Sequence, residues 1–438
     1  MGVLLKAMCA AVLTCSLGVS TTSAEAADRE ALFQQTLARP GDSDLTFAYV
    51  RASIDDGDTE AAIGALERIL FHNPKLTRAR FELGSLYHRL GSHEIAARHF
   101  RDALAAPDLD AHLRARAANF LDSSEKNSKS SRWFGLLQTG WRSQSNAGAF
   151  SDGGVTRFMG VDLPAFGTVK KADTNVFGLA QIGHDYDLPW YGAVLESRLG
   201  AYQTIQTNMH EYNLGLLEGS IGPRIPVNLS WFPGTTIKPY LVGGTSWIHG
   251  TNFVTSGGAG LSARVPLSQN WTFEKGVEWR SMSVGDGARN YLPLLGTGQM
   301  VTLFYGSTYR FNDYVSFESK SMLTRMETRQ KSQSFTQNGY EAALRIEYHP
   351  PFDWVPRRWT AMPFARIAWT RFDDPDNLGI DPYRSRRDRE WKTGLTLDTP
   401  LTNDFGIATV IQYAVRDSNI SNYRTKNFSI LTGPTARF

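Results

Sequence analysis

The chain has 438 residues, 46 Lys+Arg against 43 Asp+Glu, and is 42% hydrophobic and 12% aromatic. Its formal net charge of +3 divides into 14 basic against 16 acidic residues over 27–131 and 31 against 26 over 132–438. Neither part has the basic excess of a nucleic-acid binder, so no nucleic-acid partner is expected. Mean hydropathy is −0.30, and beyond the N-terminus no apolar run reaches the roughly 18 residues of a spanning helix. Barrel strands escape that exclusion, because half of their side chains are polar.

Residues 1–26 read as a signal peptide. Lys6 precedes an apolar stretch over 7–19, and small residues lead to Ala24-Glu25-Ala26, an Ala-x-Ala cleavage site. The apolar run is too short to remain as a membrane span. Thr14, before Cys15, is larger than the residue that lipoprotein processing accepts, which argues against a lipid anchor there. Both cysteines, Cys9 and Cys15, lie in this leader. No disulfide, thiol nucleophile or thiolate metal site is expected downstream.

Residues 27–126 carry a helical repeat. Gly57-Asp58-Thr59-Glu60-Ala61-Ala62-Ile63 and Gly91-Ser92-His93-Glu94-Ile95-Ala96-Ala97 lie 34 residues apart, with Leu66 matching Phe100 and Leu70 matching Leu104. That is the tetratricopeptide period. The second copy fits best, through Leu83-Gly84, Tyr87, Ala96, Phe100 and Ala103, with Arg80 where a Trp is usual. The first keeps Ala62 and Pro74 but lacks the Leu-Gly pair. Segments 28–39 and 110–126 read as flanking helices that cap the array. Such arrays offer a concave surface to an extended peptide or a partner helix. By register, Arg78, Phe81, Ser85, His88 and Arg89 are expected to line it; the alternative for Arg78 and Arg89 is a solvated helix charge.

A Ser/Lys-rich linker, 127–131, marks a change of period from 3.6 to 2. Within 132–438, Trp271, Phe273, Val277 and Trp279 alternate with Glu274, Glu278 and Arg280. Tyr340, Ala342, Leu344, Ile346 and Tyr348 alternate likewise with Glu341, Arg345 and Glu347. Fourteen such runs begin near Trp133, Thr174, Tyr191, Tyr212, Thr236, Thr255, Asn270, Gly298, Tyr314, Gln337, Trp359, Asp388, Asp404 and Thr425. The predicted fold class is therefore α plus membrane β: a short TPR-like helical array followed by a 14-stranded antiparallel transmembrane β-barrel. Connections 187–190, 267–270, 311–314 and 399–404 are tight, whereas 145–173, 284–295 and 373–383 are long. Connection 208–211 is short for the long side, and 228–235 is long for the tight side. This asymmetry predicts an outer-membrane barrel with the helical domain in the periplasm. Trp133, Trp190, Trp231, Trp271, Tyr314, Trp354 and Trp359 fall near strand ends on the tight side, where amphipathic rings favour the bilayer interface. Phe438, after Phe428, Ile430, Thr432 and Ala436, matches the barrel insertion signal that an outer-membrane assembly machinery reads. Pro434 weakens that last strand.

Inward positions predict a charged lumen of Glu274, Glu278, Arg280, Glu318, Lys320, Glu341, Arg345 and Glu347, either as mutually paired charges or as a selectivity lining. Arg384, Arg386, Arg387 and Arg389 cluster at the outer start of one strand, as a solvated rim or as donors to lipopolysaccharide phosphates. Glycine pairs Gly243-Gly244 and Gly257-Gly258 read as bends or lumen positions. No catalytic constellation emerges: His93-Glu94 is not followed by the second His of a zinc helix, and Gly244-Thr245-Ser246-Trp247-Ile248 lacks the second glycine of a nucleophile elbow. The expectation is no enzyme, no cofactor and no metal.

A leader, a short repeat array and a C-terminal barrel together resemble the surface lipoprotein assembly modulators. The resemblance is most local in Arg78 to Leu104 (RARFELGSLYHRLGSHEIAARHFRDAL) and in Trp133 to Gly148 (WFGLLQTGWRSQSNAG). It implies export of a partner protein, lipidated or soluble, across the outer membrane, the repeats receiving it and the barrel passing it. The chain has about two repeats, fewer than larger members of that family. A polysaccharide export porin and a passive solute porin are the alternatives that the same architecture permits.

Overall fold

The computed structural model describes residues 22–438 except 153, 165–170, 191, 286–296, 353, 356 and 377–379. Most of the expected signal peptide thus lies outside the described residues. The chain divides into two compact units, Met1–Ser130 and Ser131–Phe438.

Unit one holds helices α1 (Thr22–Ala38), α2 (Ser43–Asp55), α3 (Thr59–His72), α4 (Thr77–Arg89), α5 (His93–Leu104) and α6 (Ala111–Asn127). Asp42 caps α2, its carboxylate accepting from the N–H groups of Asp44 (3.1 Å) and Leu45 (3.2 Å). Asp58 caps α3 by accepting from Ala61 (3.0 Å). Gly57 and Gly91, at φ 80° and 76°, turn the chain between paired helices in the left-handed region that costs a side chain strain. Helices α2, α4 and α6 start at Ser43, Thr77 and Ala111, each 34 residues after the last. The helix expected as a cap is therefore the first helix of a third, incomplete repeat, a correction to the count of two. The array buries Leu66, Ile69, Leu83 and Leu86 in one cluster and Phe81, Phe100 and Ala117 in another. Gly84 lies under Phe100, where a Cβ would stand 2.9 Å from the ring. Larger residues at that position would push the paired helices apart.

Unit two is a closed antiparallel barrel of fourteen strands, the expected count. These are β1 (Ser131–Gln144), β4 (Asp173–Asp187), β5 (Val194–Gln206), β6 (Leu214–Pro226), β7 (Thr236–Ile248), β8 (Thr251–Pro266), β9 (Trp271–Val284), β10 (Gly298–Arg310), β11 (Val315–Thr328), β12 (Phe335–Tyr348), β13 (Trp359–Asp376), β14 (Asp381–Pro400), β15 (Phe405–Ser418) and β16 (Thr425–Arg437). Each pairs with its neighbour in sequence, and β1 closes on β16. At that seam pairing is interrupted between Gln138↔Thr435 and Trp141↔Thr432, beside Pro434, which has no N–H to donate.

Trp271, Val277 and Trp279 on β9 are 39–43% exposed, and Leu241, Leu261, Leu303, Leu323 and Tyr340 repeat that outward band on neighbouring strands. A water-facing sheet would not present a continuous apolar girdle; one facing lipid must. None of the described helices is long and apolar enough to cross a membrane.

Two departures from the sequence reading lie at the long-loop end. The first connection folds into a hairpin of β2 (Val155–Phe158) and β3 (Val161–Pro164). Strands β13 and β14 run to 18 and 20 residues, pairing onward through Pro375↔Ser385 with shifted register. The Asp- and Pro-rich segment 373–383, expected as a loop, is thus partly strand. Pro375 sits at the register shift, where a missing ladder donor is tolerated. The connections after β5, β11 and β15 each close with a short 3-10 turn, at His210–Tyr212, Lys331–Gln333 and Ser421–Tyr423.

Candidate functional site

The barrel lumen follows from strand period and register. Gly276 on β9 faces Ser262 on β8 and Phe304 on β10, so alternate residues on each strand share the inner face. The register brings all eight expected lumen residues to it.

On the β5–β9 wall, Glu196 accepts from Arg224 Nε (2.7 Å) and Lys238 Nζ (2.9 Å). Glu274 pairs with Arg264 at 3.2 Å and lies 3.8 Å from Arg224. One layer away, Arg280 bridges Glu278 and Glu218, both at 2.6 Å, while the Tyr240 hydroxyl donates to Glu278 (2.9 Å). Tyr240 lies across Gly260, a position that admits no side chain beneath the ring. Further round, Arg345 stands 3.7 Å from both Glu318 and Glu347. Lys320 and Glu341 are direct cross-strand partners, and Arg366 and Lys392 continue that row.

Glu196, Glu218, Arg224, Lys238, Tyr240 and Arg264 were missed by sequence reasoning, though Glu196 and Lys238 lie in readable two-residue alternation. The lumen is also not uniformly polar. Phe134, Leu136, Leu179 and Tyr202 face inward from β1, β4 and β5, which composition alone does not reveal. A cavity of about 710 Å³ lies between these walls, lined by Phe134, Leu136, Arg198, Tyr240 and Arg280. Arg357, from the connection between β12 and β13, lines it from across the barrel.

The proposed concave face of the array does not hold together as five residues. Phe81 is only 1% exposed, its ring 5.9 Å from Phe100 and 6.2 Å from Phe120. It is core, because α6 continues the repeat and covers this side of α4. His88 is half-buried by the same helix, its Nδ1 2.9 Å from Ser124 Oγ, and burial, with the nearby His93, lowers its pKa. The Ser85 hydroxyl donates to the Phe81 carbonyl at 3.0 Å. Arg78 lies 4.6 Å over the Phe47 ring and remains exposed, as does Arg89.

The arginine cluster also divides. Arg386 turns inward onto Asp388 (2.8 Å) and over the rings of Phe372 and Tyr423, whereas Arg387 and Arg389 face outward. At the seam, the Phe438 carbonyl accepts from the Gly135 N–H (3.1 Å) and its ring stays 55% exposed. Gly244 and Gly258 take lumen positions tight against neighbouring backbone. Trp133, Trp190, Trp231, Trp271 and Trp354, all exposed, lie at the short-turn end.

These features define a class: a transmembrane β-barrel of the outer-membrane type, preceded by a short tetratricopeptide-like helical array. No family model matches the chain, and no curated protein matches it. Among solved structures, the helical part is similar to "Crystal structure of MamA protein" (18% identity, 24% of this chain, TM-score 0.20), of whose length the chain spans 61%. The remainder is similar to an anion-selective porin from Comamonas acidovorans (8% identity, 70% of this chain and 99% of that one, TM-score 0.35). It is also similar to a bacterial polysaccharide outer membrane secretin (10% identity, 69% and 98%, TM-score 0.33). At such identities and scores nothing about substrate follows.

Proposed function

We propose that this chain is an outer-membrane translocator: its helical repeats receive a partner protein in the periplasm, and its barrel passes that protein to the cell surface. The observation that carries the reading is the joining of two machines in one chain. A peptide-binding type of array ends at Asn127, with three residues between it and a barrel whose first strand starts at the short-turn end. In outer-membrane barrels that end is periplasmic. A passive porin has no use for the array. The barrel does no covalent chemistry in this reading; the paired charges of its lumen keep a wet path without strongly favouring either sign.

The test is deletion of the gene followed by comparison of proteins that external protease reaches on intact cells. Loss of one surface or secreted protein is expected, and removal of residues 27–128 alone should abolish its export while the barrel still inserts. Loss of a surface polymer with proteins unchanged, or steady ion conduction by the purified barrel with no change in any surface protein, overturns the proposal.

A further inference from the structure

Arg371, Arg387 and Arg389 share the outer, lipid-facing side of β13 and β14 near the long-loop end. Arg371 and Arg387 are direct cross-strand partners, and Arg389 pairs with Trp369. Like charges placed directly opposite repel. All three side chains are exposed, and none has a side-chain hydrogen bond or ion pair among the described residues. The nearest acids do not neutralise them. Asp373 is taken by Arg325, which donates to both of its oxygens at 2.8 and 2.7 Å, and Asp388 is held by Arg386 on the inner side. Asp417 stands opposite Arg389, leaving three cations against one anion. Asn419 ties the strand there to the next connection: the Arg387 N–H donates to Asn419 Oδ1 (2.7 Å), and Asn419 Nδ2 donates to the Ser385 carbonyl (2.9 Å).

Two residues nearer the barrel's middle, each arginine strand carries an aromatic ring, Trp369 below Arg371 and Trp391 below Arg389. At strand rise this is about 7 Å, the step from interfacial ring to headgroup. Trp369 also meets Tyr340 edge-on, centroids 6.1 Å apart. Arg371, Arg387, Arg389, Trp369 and Tyr340 line an outward groove of about 1,020 Å³ with Thr336 and Asn338.

We propose that this rim is a binding site for the phosphates of a phosphorylated glycolipid in the outer leaflet, seated on Trp369 and Tyr340 and gripped by Arg371, Arg387 and Arg389. Planar guanidinium forks suit phosphate oxygens, and the repelling Arg371–Arg387 pair is relieved by a shared anion. The site concerns the barrel's lipid contact and stands or falls separately from export.

The test uses the full-length purified protein in detergent micelles doped with bisphosphorylated lipid A, with the same lipid after removal of both phosphates, and with inorganic phosphate as competitor. Binding to the phosphorylated lipid at least tenfold tighter than to the dephosphorylated one is expected, with no displacement by millimolar inorganic phosphate. The triple variant Arg371→Gln, Arg387→Gln, Arg389→Gln should lose that preference, and Arg386→Gln, on the inner side, should keep it. Should the triple variant not fold, Arg371→Gln alone should still weaken binding several-fold. Equal binding of the two lipids, displacement by inorganic phosphate, or unaltered binding by a folded variant overturns the proposal.

Discussion

Phe81→Ala separates two accounts of the helical array. If Phe81 lined an open groove, truncation would impair partner binding and leave folding nearly untouched, since exposed substitutions change stability by within about 0.5 kcal/mol. The structure instead places it at 1% exposure among Phe100, Phe120 and Ala117, with the Arg116 guanidinium 5.3 Å over its ring. Burial of a phenylalanine that cannot be replaced by local collapse is worth about 3–5 kcal/mol on truncation, to which loss of two ring contacts belongs. For a unit of this size each kcal/mol moves the midpoint by about 4 °C or more, so a fall on the order of 10–20 °C is expected. The assay is helix melting at 222 nm in the full chain in detergent, with the barrel's resistance to cold SDS as the control for its integrity. Arg89→Ala, exposed on the same helix, should melt as the wild type does. A Phe81→Ala midpoint within 2 °C of wild type would refute the assignment of α6 as a repeat helix packed over α4.

Three further outcomes follow from named contacts. Burial lowers the His88 and His99 pKa values below the ordinary 6.5, so the folded array prefers the neutral rings. Its stability should be complete above about pH 6.5 and decline as pH falls below it; urea midpoints between pH 7.5 and 5 that do not decline would contradict this, and His88→Gln with His99→Gln should flatten the profile. Glu196→Ala strips Arg224 and Lys238 of their shared carboxylate, so in planar bilayers under a salt gradient the reversal potential should move toward anion preference; a shift toward cations would count against the lumen assignment. The hairpin residue Arg157 binds buried Asp381 at 2.6 Å and Asp162 at 3.1 Å. Asp381→Ala removes that carboxylate, so it should release the hairpin and let trypsin added to intact cells cut at Arg157, which the wild type should resist.

Much of the fold was legible because period is a local property. Trp271 to Arg280 alternate in sequence, and no distant partner is needed to see two faces. The number of strands came from counting such runs, and the lumen parity of Glu274, Glu278 and Arg280 came with it. What stayed hidden depends on partners far away in sequence. Phe81 reads as a groove residue until α6, thirty residues later, is placed over it. Arg371 joins Arg387 only through the β13–β14 register, while Arg386, one residue from Arg387, leaves the cluster because strand neighbours point to opposite faces. The hairpin of β2 and β3 was invisible because its four-residue strands owe their place to Asp381 and Asn422, more than two hundred positions downstream.

The seam between β1 and β16 bears on how such a chain reaches its final state. Leu136 pairs with Arg437 across 301 intervening steps of chain (437 less 136), so ring closure is the most non-local event in the molecule and the slowest to search. Until it happens the growing sheet has two open edges and an outer girdle suited only to lipid. The array, built from contacts within a few tens of residues, can complete its folding in that interval. The array's folding is thus uncoupled from ring closure, whose ladder is the interrupted one beside Pro434.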